Sequence, residues 1–126
     1  MLEQGITALL NGSIAALVGN RVYPVTIPEG AELPCLSYQV VSGASEYALD
    51  GSAETEKTIQ FDAWGTTYAD AKTIQKALHD LLDGYSGTLA DGTQVKGTFR
   101  GLELDDFQSE ARVYRSLTEY TFQYQE

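Results

Sequence analysis

Between Thr58 and Leu82 the chain changes its hydrophobic period once, and that change constrains the fold more than any other feature of the sequence. Ile59, Phe61 and Ala63 alternate with Thr58, Gln60 and Asp62, so one face of an extended segment is apolar and the other polar. Thr67 then stands where it can cap the first free amides of a helix, with Asp70 placed to reach back. Ala71, Ile74, Ala77, Leu78, Leu81 and Leu82 recur at helical spacing opposite Lys72, Gln75, Lys76, His79 and Asp80, and Gly84 ends the run. A half-apolar strand feeding into a helix with a wide apolar stripe buries both faces by packing one on the other, so this helix is expected to lie on a sheet.

The flanking segments extend that pattern. Leu2, Ile6, Leu9, Leu10, Ile14, Leu17 and Val18 make an N-terminal amphipathic helix. Asn11-Gly12-Ser13 interrupts it, and Ser13 is placed to cap a second turn ending at Gly19, which leaves one helix or two short ones. Pro24, Pro28 and Pro34 punctuate an extended connection, because each fixes its own φ and turns its predecessor away from helix. Leu36 to Val41 reads as a strand, expected to pair antiparallel with the strand at residues 58–63. Asp91-Gly92 predicts a hairpin with a primed turn joining Ser86–Ala90 to Thr93–Leu104. The last strand, Val113 to Tyr124, carries Tyr114, Tyr120, Phe122 and Tyr124 on one face and Arg115, Glu119 and Gln123 on a wet one. The expected fold class is α+β: a largely antiparallel sheet of four to five strands with two main helices on one face, in a single domain spanning residues 1–126.

Residues 43–57 break the pattern. Fifteen residues of Gly, Ser, Ala and acids separate the first two strands, more than a routine hairpin loop needs, so this is either a working arm or a mobile tip. No basic residue lies between Arg21 and Lys57, whereas Glu29, Glu32, Glu46, Asp50, Glu54 and Glu56 all do. Tyr47, the loop's one aromatic, either anchors an interface or packs back onto Leu49. Tyr47, Asp50, Glu54 and Glu56 are therefore the candidate partner-contact residues.

Chemistry has little to stand on. The chain holds one His and one Cys, so neither a zinc site nor an intramolecular disulfide can be assembled from them. Cys35, between Pro34 and Leu36, reads as a small apolar filler, and His79 as a solvent-facing residue near a helix end, where positive charge is favoured. The Asp105-Asp106 doublet reads as solvated or helix-capping acids between a strand and a polar loop. The glycines do not have phosphate-cradling spacing, and no metal or cofactor is implied. The net charge of −10 with only eight Lys and Arg disfavours wrapping nucleic acid, because neutralising phosphates takes clustered cations. No run approaches the roughly eighteen apolar residues of a membrane span, and the start lacks the basic region of a secretion signal, so no membrane partner is expected and synthesis in the cytoplasm is.

Taken together, "IAALVGNRVYP" at residues 14–24, "LPCLSYQVVSG" at 33–43, "EYALDG" at 46–51, "IQFDAWGTTYADAKTIQKALHDLLDG" at 59–84 and the closing "YTFQYQ" resemble the tail-completion, or tail-terminator, proteins of long-tailed bacteriophages and their prophages. The resemblance implies a structural virion protein without catalytic residues, acting as a ring, commonly a hexamer, at the head-proximal end of the tail. The ring would halt growth of the tail tube protein and present the tail to the head-completion or connector protein, with DNA passing through unbound. An acidic lumen wall, with Asp50, Glu54 and Glu56 as its candidates, would repel that DNA. The alternative is a small acidic binding module, immunity- or antitoxin-like, that masks a basic partner.

Overall fold

The computed structural model describes residues 2–19, 21–47 and 53–125, with backbone alone at 44–47 and 53–54. The chain runs α1 (Leu2–Ser13), α2 (Ala15–Val18), β1 (Val22–Pro24), β2 (Cys35–Tyr47), β3 (Ala53–Gly65), α3 (Tyr68–Leu82), β4 (Gly87–Thr88), β5 (Gln94–Gln108) and β6 (Val113–Gln125). The strands form one sheet in the order β1-β2-β3-β6-β5-β4, antiparallel throughout except for the β1–β2 pair. The sheet has six strands rather than the four or five expected, because the edge strands β1 and β4 are too short to show a period in sequence. Pro24 closes β1, and a residue without an N–H is tolerated at such an edge.

The helices pack on one face. Leu2, Ile6, Leu10, Ile14 and Val18 from α1 and α2 join Ile74, Leu78 and Leu82 of α3 over Leu36, Ile59, Phe61, Ala63, Tyr120, Phe122 and Tyr124 of the sheet. Each of these larger side chains contributes about 1.5–3 kcal/mol by leaving water. Thr67 caps α3 as expected, its Oγ1 accepting the Asp70 N–H at 3.1 Å. The N-terminal segment is two helices, but Ser13 does not cap the second; it ends α1, and Ile14 occupies the cap position without a side-chain bond.

The turn after β4 also departs from expectation. Gly92 N–H donates to the Leu89 carbonyl (2.9 Å) and Leu89 N–H to that of Thr93 (2.8 Å), which closes a three-residue loop. Gly92 has φ 93°, while Asp91 is not in the positive-φ region, so this is a type I turn followed by a left-handed glycine, not a primed two-residue turn. The Asp91 carboxylate accepts from Thr93 N–H and Oγ1, each at 3.0 Å, and locks the loop. It packs on α1 at Gly5, where a Cβ would come within 2.7 Å of Asp91 Oδ1.

The largest correction concerns residues 43–57. Instead of one long loop, β2 and β3 continue their ladder to Tyr47↔Ala53, forming a projecting hairpin arm. No apolar alternation marks it in sequence.

Candidate assembly surface

An edge strand offers unpaired N–H and C=O groups to any chain that can add to it. Here both edges are covered only in part. β1 covers Leu36 to Tyr38 of β2, and the Tyr38 carbonyl accepts the Val25 N–H at 2.7 Å. β4 covers Gln94 and Val95 of β5, and the Thr98 carbonyl accepts the Gly84 N–H at 3.1 Å. Beyond these caps, residues 40–47 of β2 and 100–108 of β5 have no strand on their outer side among the described residues.

The exposed large hydrophobics gather at the same two edges. Val25, Val40 and Val41 stand beside the open part of β2; Phe99, Leu102, Leu104 and Phe107 stand on β5, with Tyr68 beside them. Two bulges contribute. The register shifts between Val40 and Ser42 and again between Arg100 and Glu103, each opposite the Ile59–Tyr120 row, leaving Val41 and Leu102 outside the regular pairing. A bulge bends its strand and re-aims a side chain, and these two turn apolar groups to solvent.

Charge distinguishes the edges. On the arm, Glu46 and Glu54 occupy directly opposite ladder positions, a like-charge pairing that is unfavourable without a cation nearby. On β5, Arg100 lies 3.7 Å from Glu103 and 3.9 Å from Asp83, and exposed Lys96 has no ion-pair partner among the described residues.

His79 does not face solvent as expected. Its Nε2 is 2.8 Å from Glu103 Oε1, its Nδ1 is 3.1 Å from Arg100 Nη1, and its ring meets Tyr120 edge-on at 6.1 Å. Burial holds its pKa below the usual imidazole value; Glu103 pulls the other way, and Arg100 adds to the burial effect. Gln75, expected on the polar face, is buried and donates to Thr118 Oγ1 at 2.9 Å.

The Asp105-Asp106 doublet lies inside β5, and strand alternation divides it. Asp105 turns to α3 and accepts from Tyr68 Oη (2.9 Å) and Lys72 Nζ (3.2 Å); burial raises its pKa, but these donors outweigh that and leave it lowered. Asp106 turns to the helix-free face and takes both arms of Arg115 at 3.1 and 2.6 Å, while that guanidinium sits 5.7 Å from the Trp64 ring centroid. Both acids are ion-pair members rather than capping groups, and Asp105 is exposed as expected of a solvated acid. Cys35 is fully buried, as expected of a filler, and burial pushes its thiol pKa up to about 11.

Of the candidate contact residues, Glu56 is exposed on β3 and accepts from Gln123 Nε2 at 3.4 Å. Tyr47 and Glu54 sit in the arm's ladder by backbone register, their side chains outside what is described, and Asp50 lies outside the described residues. The sequence reading missed the β5 edge; its signal was the run of Phe99, Leu102, Leu104 and Phe107 in a strand that otherwise reads as polar.

The family model for "Tail completion protein gp17" matches residues 4–125. Among solved structures, a chain from the virion of a native gene transfer agent particle superposes with a TM-score of 0.67, covering 99% of this chain and 92% of that one at 20% identity, a likeness of fold. No curated protein sequence matches. No described helix is long and apolar enough to cross a membrane.

Proposed function

The chain belongs to the phage tail completion protein family, and from that premise we propose that this structural virion protein closes the head-proximal end of the tail tube as a ring of identical subunits and joins the tail to the head. The observation that carries the ring is the pair of unlike, partly open sheet edges. Cyclic assembly needs a heterologous interface, in which one surface fits a different surface of the neighbour, and the two edges supply such a pair. We hold the chain to be one domain that acts by docking, without a catalytic step. Its partners are copies of itself, the tail tube protein and the head-completion or connector protein, with DNA passing through the ring. The acidic arm, carrying Tyr47, Asp50, Glu54 and Glu56, contacts the neighbour or the tube.

Three experiments test this reading. Particles made without the protein should show tails of irregular length that fail to join filled heads; tails of normal length on full heads would refute the capping role. Deleting residues 44–56 should leave a folded monomer that no longer joins tails, and normal joining would refute the arm's part in it. Replacing Asp50, Glu54 and Glu56 together by Lys should slow DNA ejection if these acids line the passage, and unchanged ejection would remove them from it.

A further inference from the structure

Resting on that ring reading, we propose that neighbouring subunits join edge to edge, the open stretch 100–108 of β5 adding antiparallel to the open stretch 40–47 of β2 in the next copy.

Direction permits it. β2, β3, β6 and β5 alternate in sense across the sheet, so a copy rotated sideways about an axis along the strands, without being flipped, brings its β2 antiparallel to β5 of the first. The caps then decide the alignment. A level arrangement would set Val40 beside Arg100 and Ser42 beside Phe99, since the ladder connects these residues across the sheet. In that arrangement much of β5 after Arg100 would run into β1 of the neighbour, and the Gly84–Thr98 bond would already occupy the outer side before it. Sliding the copies until open backbone meets open backbone brings residue 40 near 108 and residue 47 near 101. This is a stagger of about seven residues, or about 23 Å at 3.3 Å per residue. Spread over four strand spacings of about 4.8 Å, it corresponds to strands tilted by roughly 50°, slightly steeper than the roughly 35–45° of closed sheets.

Charge complementarity favours the same alignment. The acid-bearing end of the arm, with Glu46 opposite Glu54, comes level with Leu102, two residues from Arg100. Glu103, Asp105 and Asp106 meet positions 42–45, which are Ser, Gly, Ala and Ser and carry no charge. Val40 and Val41 at one edge come level with Phe107 at the other, covering apolar groups that the single chain leaves in water.

The test is disulfide trapping in assembled tails. In a Cys35→Ala background, Leu104→Cys is combined in turn with Ser42→Cys, Ala44→Cys or Glu46→Cys, positions spaced two apart so that they share a face of β2. Thermal melts confirm that each variant folds, and electron microscopy confirms that rings cap the tails. Oxidation should give a covalent ladder up to the ring size, strongest with Ala44→Cys, with none from the single-cysteine chains. Capped tails that give no ladder with any pair would overturn the edge pairing while leaving the ring intact. Capped tails shown by mass to hold only one copy would overturn the ring reading itself.

Discussion

Lys57 of β3 reaches Glu3 of α1, Nζ to Oε1 at 2.7 Å, and ties the root of the projecting arm to the N-terminal helix. For Glu3, burial is the largest single cause and raises the pKa, but the Lys57 hydrogen bond, a backbone hydrogen bond and the nearby positive charge together outweigh it and the net direction is down. For Lys57, the Glu3 hydrogen bond is the main cause and raises it.

The sign follows for each group. Glu3, with its folded pKa depressed, contributes stability above the ordinary Glu value that is lost as pH falls through the folded one. Lys57, with its folded pKa raised, contributes stability below the ordinary Lys value that is lost as pH rises through the folded one. The two side chains are only 27% and 17% exposed, so Lys57→Met, which leaves a part-buried carboxylate without its partner, should cost about 1–3 kcal/mol at neutral pH. Melting curves should show that difference shrinking below about pH 4; an undiminished difference at pH 3 would mean that the lysine acts through packing alone.

Arg115 is held by geometry as well as charge, gripping Asp106 with two nitrogens while lying over Trp64. Lysine keeps the charge but loses the fork that grips Asp106 with two nitrogens. Arg115→Lys should cost about 1–2 kcal/mol, read from the denaturant midpoint. A loss no larger than that of an exposed Lys76→Arg control would show the pairing to be incidental.

Gly65 makes the passage from β3 into α3. A Cβ there would lie 2.9 Å from Asp70 Cβ and 3.0 Å from both Ala71 N and Thr67 O, the last two being backbone atoms with little room to yield. Gly65→Ala should therefore lower stability by about 1–3 kcal/mol, whereas Gly12→Ala, with nothing within 4 Å of the added methyl, should not. Paired thermal denaturation of the two variants checks the contrast.

Cys35 is fully buried and its pKa is about 11, so the native chain exposes almost no thiolate at pH 8. Alkylation by iodoacetamide should be at least about a hundredfold slower than in denaturant, where the thiol returns to its ordinary value near 8.5. Equal rates would show that the β2 start opens readily.

What could be read in the sequence followed burial. The stripe from Leu2 to Val18, the alternation of Ile59, Phe61 and Ala63, and the alternate aromatics ending at Tyr124 are periodic because one face of each element is in the core. Residues 43–57 carry no such alternation, so their strands read as a loop. His79 and Gln75 fell on the polar side of the helix by spacing, yet Glu103 and Thr118 come from strands distant in sequence and draw them inward. The Asp91-Gly92 signal located the hairpin but not its loop length, since glycine with positive φ serves both turn types. The acidic candidates were visible as charge; the apolar β5 edge that accompanies them depends on which strand ends up outermost, and that is a property of topology.

No residue of the hydrophobic core comes from positions 39–47 of β2 or 99–108 of β5 among the described residues. The hydrophobic interior and the edges proposed for partnership therefore draw on separate sets of side chains. A lineage can retune its flanks to suit a changed neighbour, one substitution at a time, while the interior that keeps each copy in shape goes untouched.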